Sequence, residues 1–520
     1  MPLPNNGTPW PPPSYAKQMD RIEDYDAWYS GDPDRLADAY RRRSGESQPQ
    51  NRPGQRRGGL VGTLSRWFWG QPTPAGERRS KIHMPLAADI ATSSADLLFS
   101  KAPTFQFLNP ANTEAWDELD DLMRMNSTFY EAAEIVAALG GGFLRVGADP
   151  TLWQHPLVSI VHPDNAYPEF KWGRLTAVTF SLVLETTNNT VLRYLERHEL
   201  VPAEGRTVAV EYHGLYLGSA DKLGVRKSLD DHPFTAGMED EVVHNQPVLP
   251  VVHVPNMLPS RQDRSAELGR SDFEGVTHLF DSIDEVATSL LRDVRLGKGR
   301  AFIPSAYLQN LGRGQGAAWD PDAEIYQQLD IPPTEGAGIT IHQFAIRVDE
   351  HVRTMDALVR QATRTAGYSA SSFGLESAGG GDVTATEIND RRSRSALTRS
   401  KKINYWKESL KQFAEATLYA ARDFEQFASV DPTEIAQIEW PEVAETDPLN
   451  QAQTILALDS ARAISAFLKV KMQHPDWDDT ELLEEVERIR NDSSVSDPLQ
   501  MDLGFEEPEP EPGPETDADQ

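Results

Sequence analysis

The sequence predicts an α+β fold, and three observations carry that expectation. Strand-length apolar runs succeed one another between Phe143 and Leu217, separated by turn residues. From Ser271 to Gly367 two stretches of helical period flank a segment of β and turn chemistry. From Thr384 to Asp431 no proline or glycine interrupts the chain. At 520 residues the chain exceeds the size at which one hydrophobic core keeps growing, so roughly two to four domain-sized units are expected.

Taken in order, residues 1–13 carry six prolines and predict an extended or disordered arm. Tyr15 to Arg43 reads as helix, with Met19, Ile22 and Tyr25 at three-residue spacing and a turn at Gly31 to Pro33. Gln48 to Lys81 is loop-like. Between Arg41 and Lys81 ten Lys or Arg stand against Glu46 and Glu77, and Trp67, Phe68 and Trp69 form an aromatic knot. Contact with a polyanion or acidic partner is one reading of this stretch; a solvated loop whose aromatics pack on their own domain is the other. Pro85 to Ser100 places Leu86, Ile90, Leu97 and Leu98 on one side of a small-residue helix. A short strand at Thr104 to Leu108 and helices at Thr113 to Met125 and Ser127 to Leu139 follow, the second ended by glycines 140–142. Strands are expected at Phe143–Gly147, Leu157–His162, Leu175–Glu185, Val191–Leu200 and Thr207–Leu217, with a hairpin turn at Thr187 to Thr190.

Ser271 to Val294 then returns to a helical period through Phe273, Val276, Phe280, Ile283, Leu290, Leu291 and Val294, with Ser271 and Glu274 at capping-box spacing. Gly297 to Gln343 switches to β and turn chemistry. A second helix starts at Val348, repeats through Val352, Met355, Leu358, Val359, Ala362 and Ala366, and stops at Gly367. Ser369 to Val383 is a glycine-rich loop. Thr384 and Glu387 repeat the capping-box signature before a helix of up to ~70 Å at 1.5 Å per residue. Its second half is amphipathic through Tyr405, Trp406, Leu410, Phe413 and Leu418, which predicts one face leaving the chain's own core. A strand at Ile435 to Pro441, helices at Leu449–Lys471 and Thr480–Arg490, and a disordered acidic tail from Asn491 complete the chain.

Composition excludes several function classes. Fifty basic against eighty acidic residues give a formal charge of −30, which argues against a protein that wraps nucleic acid by neutralising phosphates. A like-charged wall would instead lower friction on a passing polyanion. The absence of cysteine removes disulfides, thiolate metal sites and a Cys nucleophile together. The longest apolar run, Ile135 to Leu144, is too short for a bilayer of about 30 Å, and the N-terminus lacks the pattern of a secretory signal, so no membrane partner is expected.

Catalytic constellations fail on their own requirements. Neither Gly58–Ser65 nor Gly379–Thr384 ends in the Lys and hydroxyl of a P-loop. The Gly312, Gly314, Gly316 cluster sits in a loop. His198-Glu199 lacks a second histidine at Pro202, so the zinc-protease reading falls. The Ser369 context is no nucleophile elbow. No enzyme activity, cofactor or metal is expected.

What remains is an arrangement, and it resembles the portal proteins of tailed bacteriophages, of the siphophage type. The segments that carry the likeness are HMPLAADIATSSADLLFSKAP (83–103), VHPDNAYPEFKWGRLTAVTFSLVLE (161–185), RSDFEGVTHLFDSIDEVATSLLRD (270–293) and SSFGLESAGGGDVTATEINDRRSRS (371–395), in the family's order. The resemblance implies an N-terminal arm and basic loop (1–80), an α/β wing (81–268), a first stem helix (269–296), a β clip (297–343) and a second stem helix (344–368). It further implies a tunnel loop (369–383), a long wing helix (384–430), a wing strand and linker (431–448), crown helices (449–490) and the tail (491–520). It implies a ring of twelve identical subunits at one capsid vertex of the virion, assembled in the host cytoplasm, with double-stranded DNA as transient passenger. The implied partners are the terminase motor, the head-to-tail adaptor, and the major capsid and scaffold proteins. Another structural head component, a minor capsid or scaffold-like protein, is the alternative, for which the helix, β-insert, helix unit is surplus. By the same resemblance Ser371, Ser372, Phe373, Leu375, Glu376, Ser377, Gly379, Gly380 and Gly381 face DNA. Asp281, Asp284, Glu285 and Asp293 are candidates for a repelling channel wall or a solvated helix face. Arg391, Arg392, Arg394, Arg399, Lys401 and Lys402 are candidates for DNA phosphates or for an adjacent subunit's acidic face.

Overall fold

The structure is a computed structural model, and it describes residues 3–45, 82–203, 205–244, 246–296, 347–373, 385–441, 455–461, 464–474, 477 and 479–495, together with four short strands between 300 and 342. Expectations for the basic loop, most of the clip, 374–383 of the glycine loop and 496–520 of the acidic tail lie outside these residues; 491–495, expected as the start of the disordered tail, continue a helix instead. The chain divides into two compact units, 1–441 and 442–520.

In the first unit, helices α1 (Ala16–Ser30), α2 (Pro33–Gly45) and α3 (Leu86–Phe99) precede strand β1 (Thr104–Gln106). Helices α4 (Pro110–Met123) and α5 (Met125–Leu139) are separated by Arg124 alone, which takes a left-handed conformation at φ 52°. Strands β2 (Gly141–Gly147), β3 (Leu157–Val161) and β10 (Val251–Pro255) form an antiparallel sheet with β2 in the centre. Between them in sequence, β4 (Ala166–Lys171), β5 (Arg174–Thr187), β6 (Thr190–Ala203), β7 (Arg206–Ser219) and β8 (Lys222–Lys227) run as an antiparallel meander, and β9 (Glu241–His244) adds to β7. The predicted hairpin is present: Thr187 pairs with Thr190 across a turn holding Asn188 at φ 51°. Mixed helix and antiparallel sheet agree with the α+β expectation.

The proline-rich arm is extended but not disordered. Trp10 is 3% exposed, packs on Tyr167 and donates its indole N–H to Ser181 Oγ at 3.2 Å. Burying an indole against a sheet stabilises by ~2 kcal/mol or more, enough to fix a segment that already has little backbone entropy to lose.

Helix α6 spans Thr277–Leu296 and helix α7 Val348–Ala366. The expected start at Ser271 is wrong. Gly275 sits at φ 80°, which breaks the helical path. The capping box is not made either, because Glu274 instead accepts from the Ser260 hydroxyl at 2.8 Å and the Arg261 N–H. The end of α7 is as expected, with Gly367 at φ 105° receiving the chain. Four short strands stand between these helices, β11 (Arg300–Phe302) with β14 (Thr340–His342) and β12 (Gln309–Asn310) with β13 (Ala317–Ala318).

Helix α8 runs Ala385–Ala421, 37 residues or ~55 Å, and ends ten residues before Asp431. Its amphipathic second half does not leave the core. Trp406, Leu410 and Phe413 are 0% exposed, packed with Phe99, Trp116, Phe129 and Val252. Strand β15 (Gln437–Glu439) then pairs with β1. The second unit holds helices α9 (Ala466–Gln473) and α10 (Asp479–Val495), joined through Val470, Leu482 and Val486.

Candidate functional site

The glycine loop is reached from a joint where α7 ends, α8 passes and the segment before α6 begins. Its polar centre is buried. Lys402 on α8 is 1% exposed and donates from Nζ to Asp272 Oδ2 and to Ser94 Oγ, each at 2.6 Å. Tyr368, two residues past the end of α7, donates its hydroxyl to the same Asp272 oxygen at 2.6 Å, and Asn256 Nδ2 donates to Oδ1 at 2.8 Å. Burial pushes the Lys402 ammonium pKa down and the Tyr368 phenol up; Asp272 counters the first and adds to the second. A buried ion pair embedded in further hydrogen bonds of this kind locks geometry, because separating it would leave a charge buried away from water and unpaired.

The same face of α8 holds the start of the loop. Ser395, Thr398 and Lys402 recur at spacings of three and four, which puts them on one stripe. Ser395 Oγ accepts from Ser369 N–H at 2.9 Å and lies 3.1 Å from Ser372 Oγ, and the Thr398 hydroxyl donates to Gly367 O at 2.6 Å. A Cβ on Gly367 would come within 3.0 Å of Thr398 Oγ1. Residues 370–373 close as one 3₁₀ turn, with Phe373 half-buried against Tyr368. Leu375, Glu376, Ser377, Gly379, Gly380 and Gly381 lie outside the described residues, as do the side chains of Ser371, Arg391 and Arg392.

The other candidate charges do not form one set. Asp284 is 0% exposed and accepts from the Tyr40 hydroxyl at 2.6 Å and Met84 N–H at 2.8 Å, with His83 Nδ1 at 3.1 Å. Asp284 and Lys402 are therefore corrected: both sit inside the chain and neither lines a channel nor reaches a neighbour. Asp293 binds Arg347, which caps α7, and His351 within it at 3.2 and 3.1 Å, and those hydrogen bonds, His351's first, hold its carboxyl below the usual range. Arg399 donates to the carbonyls of Leu97 and Pro441. Glu285, Arg394 and Lys401 are exposed, and Asp281 is half-buried.

Sequence reasoning missed Asp272, Tyr368, Ser94 and Asn256, which come together only through tertiary contact. The 395, 398, 402 stripe was available to it. A second polar cluster lies on β6 and β7, around Glu196, His198 and Glu211. Burial raises the Glu196 carboxyl pKa, but the His198 hydrogen bond and charge and the Arg145 guanidinium outweigh it and bring it to about 2.

Among the described residues no helix is long and apolar enough to cross a membrane. A family model described as phage portal protein, SPP1 Gp6-like, matches residues 13–498. No curated protein matches the chain. Among solved structures, a chain titled "Neck of empty GTA particle computed with C6 symmetry" is 14% identical, with 83% of this chain and 96% of that chain covered at a TM-score of 0.41.

Proposed function

Because the chain belongs to the SPP1 Gp6-like family of phage portal proteins, a structural and not an enzymatic family, we propose that it assembles with copies of itself into a ring at one capsid vertex. Double-stranded DNA would be packaged and later ejected through that ring. In this reading α6 and α7 are the stem, 297–343 the clip that docks the terminase motor and the head-to-tail adaptor, and 369–383 the tunnel loop. Residues 81–268, α8 and 431–448 form the wing, and 449–490 the crown.

The observation that carries the reading is the outer end of the α6/α7 pair. The two helices are antiparallel neighbours, tied at one end through Asp293 to Arg347 and His351, and at the other through Asp272 to Tyr368. Near the second tie the stripe is spent within the chain, with Phe273, Phe280 and Ile283 at 0–2% exposure. Near the first it is not: Leu291, Val294, Val348 and Val352 are 37–45% exposed. Apolar side chains grouped on helices of this length call for a cover. Identical copies about a closed axis cover every such end at once. Exposed Glu285 then fits a channel wall that repels phosphate, and exposed Arg394 and Lys401 fit an acidic neighbour.

Negative-stain microscopy of the purified chain tests this. The expected images are end-on rings with a central hole ~20 to 40 Å wide, enough for a duplex about 20 Å across. A chain that stays monomeric under all assembly conditions overturns the proposal.

A further inference from the structure

Strands β6 and β7 each carry a Glu-x-His dyad, Glu196 with His198 and Glu211 with His213. Residues two apart on a strand share one face. The antiparallel register sets Glu196 opposite His213 and His198 opposite Glu211, so each rung pairs an acid with an imidazole. Strand β9 brings His244 beside Glu211, with Nε2 3.0 Å from Glu211 Oε2.

His198 Nε2 lies 2.7 Å from Glu196 Oε1 and 3.9 Å from Glu211 Oε1, and ligand atoms of the three residues all fall within 4.8 Å of one another. A tetrahedral zinc ion with bonds of ~2.0 to 2.1 Å keeps its ligand atoms roughly 3.4 Å apart, a spacing this trio brackets. The charge also fits. Arg145 binds Glu196 at 2.7 Å and so offsets one carboxylate. Glu211 has three imidazoles near it and, among the described residues, no Lys or Arg ion-pair partner. The cluster thus has a floor and a mouth: the His198 and Glu196 side chains are 2% and 9% exposed, those of Glu211 and His244 19% and 30%.

We infer that Glu196, His198 and Glu211, completed by His244, form a site for one zinc-class divalent ion that staples β6, β7 and β9. Imidazole nitrogen and carboxylate oxygen are ligands such ions take, and four of them would come from three strands of one sheet. Arg145 Nη1 donates to both Glu196 oxygens, Oε1 at 2.8 Å and Oε2 at 2.7 Å, so Glu196 offers Oε1 to the ion by keeping only the Oε2 bond. His198 Nδ1 has no hydrogen-bond partner, so the acceptor that usually orients a ligating imidazole is missing. That omission weakens the site roughly ten- to a hundredfold relative to one with an oriented imidazole.

The test is zinc titration of the full-length chain after chelator treatment and dialysis, by calorimetry and by bound-metal stoichiometry, with cobalt(II) absorption reporting tetrahedral ligation. One equivalent per chain is expected, with the thermal midpoint raised by zinc. Glu211→Gln keeps shape and removes the charge, and it should weaken binding at least tenfold while circular dichroism stays unchanged. His198→Ala should do the same. Absence of a stoichiometric site in the wild type, or undiminished binding by a folded Glu211→Gln, overturns the assignment.

Discussion

Lys402 shows how one side chain can look like surface charge in sequence and be a core element in the fold. It ends a run of basic residues on a long helix, but its position seven residues after Ser395 turns it toward Asp272. Lys402→Met strands a buried carboxylate and should cost about 3 to 5 kcal/mol in urea unfolding, whereas Lys402→Met with Asp272→Asn should recover most of it. His253 on β10 gives the pH dependence. Its ring lies against Phe143 and Phe170 and its Nε2 meets Leu268 O at 2.8 Å. Burial pushes its pKa down from the ordinary value to about 4, against the hydrogen bond to Leu268. The folded state therefore resists a proton that the unfolded chain accepts at about 6.5. Stability from the neutral ring is full above that pH and is lost as pH falls from about 6.5 to 4, by on the order of 3 kcal/mol. Urea midpoints measured across this range should show that slope in the wild type and not in His253→Gln.

At the scale of elements, period and punctuation read well where the chain's own chemistry sets the boundary. Helix α7 starts at Val348 and ends before Gly367 as the spacing predicts, because a left-handed residue must follow it. Helix α6 starts later than its signature because Glu274 finds better partners in 260–261 than in its own first turn. Tertiary hydrogen bonds outbid a local cap worth ~1 kcal/mol. The exposed end of the same helix makes a prediction about assembly. Leu291→Ser with Val294→Ser removes apolar area that the single chain leaves exposed, so its thermal midpoint should hardly move. Sedimentation velocity should nevertheless show the population shifting from rings to free subunits.

At the scale of the molecule, most buried apolar residues of 1–441 serve two adjoining cores, with α5 facing both: Phe129 and Val136 turn to one, Ile135 and Leu139 to the other. This explains why α8 is so thoroughly absorbed, since its second half fills the first core together with α3, α4 and β10. The net charge of −30 belongs to this scale as well. In the proposed ring it would keep copies apart at long range, so association would rely on the short-range apolar ends and on local positive charges such as the exposed Arg394 and Lys401.

The order of elements, the hairpin at Thr187 to Thr190, the helix pair around a β insert and the long uninterrupted helix were determined by the sequence itself, because backbone periodicity and turn residues act locally. The portal resemblance was legible in that order too. Which charges are free was decided only by tertiary structure. Asp284 and Lys402 looked like surface groups until α2, the residues after 82, Asp272 and Tyr368 closed over them. The Glu-x-His dyads gave no helical metal signal, since strand spacing is two and their partners lie across the sheet, where register alone brings them together.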